Sequence, residues 1–287
     1  MDIQPRLAWP LRAELAEGPV WCPEESAFRF VDIKRGTLHR FEPATGSRET
    51  IEIGGAPSFI LPARDGQFVV GTGHAIRSFD GHRLGEPLAV IEMPAHNRTN
   101  DATVDAAGRL WFGTMDDDER TCTGGLHSFA NDQMENHGWR ATVTNGPAFN
   151  RAGDALYHVD SGRRIVWRIE VRDGRPAPTG EIFLRLDESE GYPDGVTVDS
   201  EDCLWVALWD GWGLRRYAPD GSLMMEVGFP CARVTKVAFG GPELTTAFVT
   251  TARVGLGPQA LEDQPEAGGL FIFEAPAPGR LMPAVHA

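Results

Sequence analysis

A unit of two short apolar runs split by a turn recurs six times along this chain, and no other feature constrains the fold as strongly. The copies read EGPVWCPEESAFRFVDI from Glu17, APSFILPARDGQFVVGTG from Ala56, NDATVDAAGRLWFGTMD from Asn100, NGPAFNRAGDALYHVDS from Asn145, DGVTVDSEDCLWVALWD from Asp194 and TKVAFGGPELTTAFVTTA from Thr235. Their starts lie 39, 44, 45, 49 and 41 residues apart, the spacing of propeller blades rather than of helical repeats. A third segment of alternating character follows the second run in most copies: GTLHRFEP (36–43), AIRSFDG (75–81), GGLHSFA (124–130), RIVWRIEV (164–171), GLRRYAPDG (213–221) and GGLFIFEAP (268–276). Alternation of this kind marks half-buried antiparallel strands. Helical periodicity is nearly absent, with PQALEDQP (258–265) the one segment suited to a short helical turn.

No single copy can bury both its faces, so the ring must close on itself. The expectation is an all-β, six-bladed β-propeller forming a single domain over residues 1–287. RLAWPLRA (6–13) is expected to add an outer strand to the last blade. A pair of β-sandwiches is the competing architecture, but it has no reason to repeat six times.

The composition narrows the partners. With 33 Gly and 21 Pro in 287 residues, turns and short strands are favoured over long helices. The formal net charge of −14, without any basic run, argues against nucleic acid and anionic membrane as partners. No apolar run approaches the roughly 18 residues needed to span a bilayer. The N-terminal MDIQPRLAWPLRAEL lacks the basic and apolar segments of a signal peptide. Cys22, Cys122, Cys203 and Cys231 are widely spaced without a C-x-x-C pair, which fits free thiols in a reducing compartment. A cytoplasmic, monomeric protein is expected, and the Asn97-Arg98-Thr99 sequon is then accidental.

In a propeller the innermost strand of each blade lines the central channel, and the residue opening that strand sits near one mouth. Glu17, Ala56, Asn100, Asn145, Asp194 and Thr235 therefore converge on the axis, whatever their separation along the chain. That places two carboxylates and two carboxamides around one opening, and the two carboxylates repel unless something positive sits between them. A divalent cation does this, and Glu, Asn and Asp oxygens suit hard or borderline ions. The alternative is that these are turn residues hydrogen-bonding the backbone.

EGPVW, RTNDATVDAAGRLWFGTM, NGPAF, YPDGVTVD and FGGPEL…FVTTA, in this order and at this spacing, resemble the SMP-30/gluconolactonase/regucalcin family of six-bladed propellers. The similarity is greatest to bacterial sugar lactonases of the xylonolactonase type. It implies one divalent metal held by Glu17, Asn145 and Asp194, with Ca²⁺, Zn²⁺, Mg²⁺, Mn²⁺ and Fe²⁺ all open. It also implies substrate contacts from Arg98 and Asn100, and hydrolysis of an aldonolactone to the sugar acid, with Asp194 as the catalytic residue. Relatives place a Glu soon after G-T-M, whereas here the segment reads GTMDDDERTCTGG (113–125) and Glu119 is left unassigned.

Other residues have two readings each. His158 and Asp160 could approach the site or be structural, and Lys236 could bind a hydroxyl or form a peripheral salt bridge. Trp209 and Trp212 could roof a sugar pocket or pack between blades. The run Asp116–Glu119 lacks the spacing of a calcium loop and reads as a solvated loop. No G-x-S-x-G or H-E-x-x-H occurs. The competing functions are a non-catalytic calcium-binding regulatory propeller, a propeller esterase or organophosphatase, and a WD-type scaffold, which lacks its signature here.

Overall fold

Each of the six repeats folds into its own antiparallel sheet, because most of its apolar runs are joined by turns too short for a parallel crossover, the 252–269 loop of the sixth blade being the long exception. The computed structural model describes residues 3–286, the side chain of Asp65 excepted. The inner strands are Ala16–Cys22, Pro57–Pro62, Asn97–Val104, Thr144–Phe149, Tyr192–Val198 and Val234–Gly240. Each pairs outward with the next strand in sequence to give six blades, which surround the channel as a β-propeller. The fourth blade carries an extra short strand, Arg175–Pro176. Arg6–Trp9 pairs with Leu270–Glu274 as the outermost strand of the sixth blade.

Burial falls from axis to rim. The inner strand of the first blade is buried throughout, whereas its outermost strand Ser47–Glu52 is exposed at nearly every position. The apolar core therefore lies between neighbouring blades and not on the axis. Between the sixth and first blades Phe28 stacks on Phe248, with ring centroids 4.3 Å apart and planes within 8°. Trp9, from the N-terminal strand, packs on the same cluster and fastens the ring where the chain's two ends meet. One short α-helix, Pro258–Asp263, sits in the last long loop with Pro at its first turn.

Every inner strand is bulged near its start. In blades one, three, four and five, two consecutive residues face one on the partner strand: Gly18-Pro19, Asn100-Asp101, Gly146-Pro147 and Asp194-Gly195. In blades two and six the extra residue is a single one, Ser58 or Thr235. A bulge bends the strand and re-aims its side chains, so the inner strands lose their regular pleat at the end where they reach the mouth.

The chain finishes on the opposite face. From Ala275 onward it runs past successive blades: Gly279 N–H donates to Leu244 O, Ser200 N–H to Pro278 O, and the Arg280 guanidinium to Phe149 O. It ends with Val285 N–H on Pro62 O and His286 N–H on Gly108 O. Five of the six blades are thus tied together beneath the channel. No helix among the described residues is long and apolar enough to cross a membrane.

Candidate functional site

The bulges decide which side chains meet. Glu17 and Asn145 are the last ladder-paired residues before their bulges, opposite Val31 and Val159. Asn100 and Asp194 are the first residues inside theirs. The four are therefore one register step out of line, and the broken ladder is what lets them converge. Gly18, at φ +56°, supplies the left-handed turn after Glu17, and its N–H donates to Glu17 Oε2 at 3.0 Å. Gly195 answers a different need, because a Cβ there would lie 2.7 Å from the Lys236 stem.

Glu17, Arg98, Asn100, Asn145 and Asp194 line one cavity of about 580 Å³ at the channel mouth. Ala56 and Thr235 do not line it. Thr235 instead donates to Ala16 O across the junction of the sixth and first blades. The lining polar groups form one hydrogen-bond chain. Arg98 Nη1 donates to Asn100 Oδ1 at 2.6 Å, and Asn100 Nδ2 to Asn145 Oδ1 at 2.9 Å. Asn145 Nδ2 donates to Ser161 Oγ at 3.0 Å, and Ser161 Oγ to Pro193 O at 2.7 Å, beside Asp194. This order fixes both carboxamides with their oxygens turned toward Arg98 and Asn100. Arg98 Nε also meets Asp117 Oδ1 at 2.6 Å, and that oxygen accepts from Lys34 at 2.8 Å.

The carboxyls are electrostatically uncomfortable. Burial, with Asp101 next in effect, pushes Glu17 up to about 8. Burial also raises Asp194 well above the usual carboxylate range, with Glu17 and Asp101 adding to it. Asp101 Oδ2 is buried without a hydrogen-bond partner. Buried carboxyls crowded in this way suit a site that holds positive charge. Among the described residues no three His, Cys, Asp or Glu side chains are gathered as a metal cluster. The set on offer is two carboxylates and the Asn145 carboxamide, all oxygen donors, which could hold a hard divalent cation with positions left open.

Ser161 is a residue that sequence reasoning missed, since a Ser in a turn carries no signal of its own. Lys236 is not peripheral: it is buried in the channel and paired with Asp101. His158 is fully buried with neither ring nitrogen partnered, and burial lowers it to about 4. It packs edge-on against Trp139, away from the cavity. Asp160 accepts from Arg163 N–H at the start of the 161–163 turn. Trp209 lines the cavity with the Arg233 guanidinium 4.7 Å over its ring, while Trp212 is 48% exposed elsewhere. The acidic run is more than a solvated loop. Asp116 is buried and accepts from Asp118, Arg120 and Thr121, and this shapes the loop that brings Glu119 to the cavity wall.

Residues 15–253 match the family model described as SMP-30/gluconolactonase/LRE-like region. A pentonolactonase of Haloferax volcanii is 35% identical, with 93% of this chain and 92% of that protein covered. A 6-deoxy-6-sulfogluconolactonase of Pseudomonas putida is 34% identical, with 94% of each covered. The solved structure of a calcium-binding protein, regucalcin, from Agrobacterium tumefaciens superposes with a TM-score of 0.95 at 24% identity, covering 100% of this chain and 99% of that one. The chain belongs to the SMP-30/gluconolactonase/LRE-like family.

Proposed function

We propose that this protein is a sugar lactonase, an enzyme that hydrolyses an aldonolactone to its open acid in the cavity at the channel mouth. The observation that carries the reading is the meeting of Glu17, Asn145 and Asp194 with the Arg98–Asn100 pair in one cavity of about 580 Å³, a size suited to a small polyhydroxylated ligand. Relatives that are named pentonolactonase and sulfogluconolactonase support the substrate class.

In this reading Glu17, Asn145 and Asp194 hold one divalent cation. When bound, such an ion polarises a carbonyl and lowers the pKa of water. Arg98 and Asn100 bind substrate oxygens, the guanidinium as a fixed fork of donors held by Asp117. Asp194 is the residue assigned to take a proton from the attacking water. Tyr192 and Trp209 offer flat walls to the sugar ring. The ring of blades closes without a second copy, so the working unit is taken as a monomer. The four unpaired cysteines fit a reducing, cytoplasmic setting.

A calcium-binding regulatory role is the second reading, supported by the regucalcin likeness. A pH-drop assay over a panel of pentono- and hexonolactones, on metal-stripped and metal-restored protein, separates the two. Turnover that returns with a divalent metal is expected. Tight calcium binding without turnover of any lactone would favour the regulatory reading.

A further inference from the structure

Just inside the mouth the channel holds an ion pair that the lactonase reading leaves unused. Asp101 sits in the bulge of blade three and Lys236 on the inner strand of blade six, so the pair spans the ring between opposite blades. Lys236 Nζ donates to Asp101 Oδ1, and the two side chains are 7% and 2% exposed. Oδ1 also accepts from Ala102 N–H at 2.8 Å, while Oδ2 has no partner. The lysine stem fills the space left by Gly195, directly after Asp194.

A buried ion pair is weak grounds for stability by itself, because desolvation offsets the attraction. Its position is the informative part. Both Lys236 and Asp101 act electrostatically on Glu17 and on Asp194. Nearer the rim, Arg98 and Lys34 share Asp117, and with Glu119, which also acts on Asp194, these outer charges cancel, two cations against two carboxylates. Inside the channel, three carboxylates then face one ammonium. Two negative charges remain, the number that one divalent cation cancels.

We infer that Lys236 and Asp101 set the charge of the site to match a single divalent cation, with Lys236 a built-in counter-ion and Asp101 a positioning residue outside the coordination set. The inference rests on the reading of Glu17, Asn145 and Asp194 as cation ligands. Lys236→Met and Asp101→Asn keep side-chain shape while each removes one charge, and the double variant removes both and restores the balance.

The test is calorimetric titration of Ca²⁺ and Mn²⁺ into metal-stripped wild type, both single variants and the double variant, at one pH and ionic strength. Asp101→Asn is expected to weaken binding by about tenfold or more, and Lys236→Met to tighten it by a similar factor. The double variant should return to within about threefold of wild type. It leaves neither partner of the pair buried without its counter-charge and so is safer to fold than either single variant. If Lys236→Met does not fold, Asp101→Asn against the double variant still decides the matter. A double variant as weak as Asp101→Asn would make Asp101 a ligand in its own right and overturn the inference. Equal affinities in all four proteins would reduce the pair to a structural strut. A wild type that binds neither cation would overturn the metal reading itself, a result visible before any variant is compared.

Discussion

At the mouth of the channel the six inner strands begin in broken ladders, with polar side chains turned inward and carboxyls crowded against one another. At the floor the same strands end in regular ladders, and the C-terminal segment crosses beneath them on backbone hydrogen bonds, with Ala275, Ala277, Gly279 and Val285 turned inward. The polar cavity lies at the irregular end of the strands, and the closing backbone network at the regular end. A bulge sacrifices ladder regularity to aim a side chain. The floor does the reverse, covering strand ends with small residues and satisfying their backbone groups.

That division can be broken from either end. Asp194→Ala should have the largest effect, lowering lactone turnover by about 10³-fold or more and releasing the metal, while thermal unfolding of the metal-free protein shifts little or upward because a crowded carboxyl is gone. Full activity in a pH-stat assay would show the site to lie elsewhere. Deleting residues 278–287 should lower the melting temperature by roughly 5–15 °C through lost burial and backbone hydrogen bonds, and should leave KM within about twofold. A large KM change would mean that floor and mouth are coupled.

Arg98→Ala should raise KM by about 10–100-fold with the metal retained, as expected for loss of a charged hydrogen bond to substrate, and loss of metal in that variant would contradict the division of roles. A fourth test uses pH. Glu17 titrates near 8 in the metal-free fold, against 4.5 for its ordinary value, so the unfolded chain gives up this proton first as pH rises. Stability of the metal-free protein, followed by denaturant unfolding, should fall between about pH 4.5 and pH 8, and a bound divalent cation should flatten that slope. The smallest change is expected from Trp212→Ala, under about twofold in KM, against a clearly larger rise for Trp209→Ala at the cavity wall.

Much of the mouth was legible in the sequence, because the repeat brought distant residues into one frame. Glu17 and Asn145 stood before matching Gly-Pro turns, and Asp194 and Asn100 opened their own runs. Their one-step offset was not legible, since a bulge depends on how the partner strand pairs. Ser161 was hidden for a related reason: its role exists only through Asn145 and Pro193, distant in sequence. Lys236 was visible as a residue but not as a buried charge, because only the closed ring places it across from Asp101. The floor was the least legible part. EAPAPGRLMPAVHA has no period and reads as a loop, although small residues at 275, 277 and 279 alternate with larger ones.

With the lactone bound as proposed at the channel mouth, the covered floor and the Lys236–Asp101 bridge leave substrate and product one shared doorway. A lactone arrives uncharged and is indifferent to the field of a molecule with a formal charge of −14. Its ring-opened product is an anion, and the same field pushes it back out. The traffic is sorted by the reaction itself, since opening the ring creates the charge that drives departure.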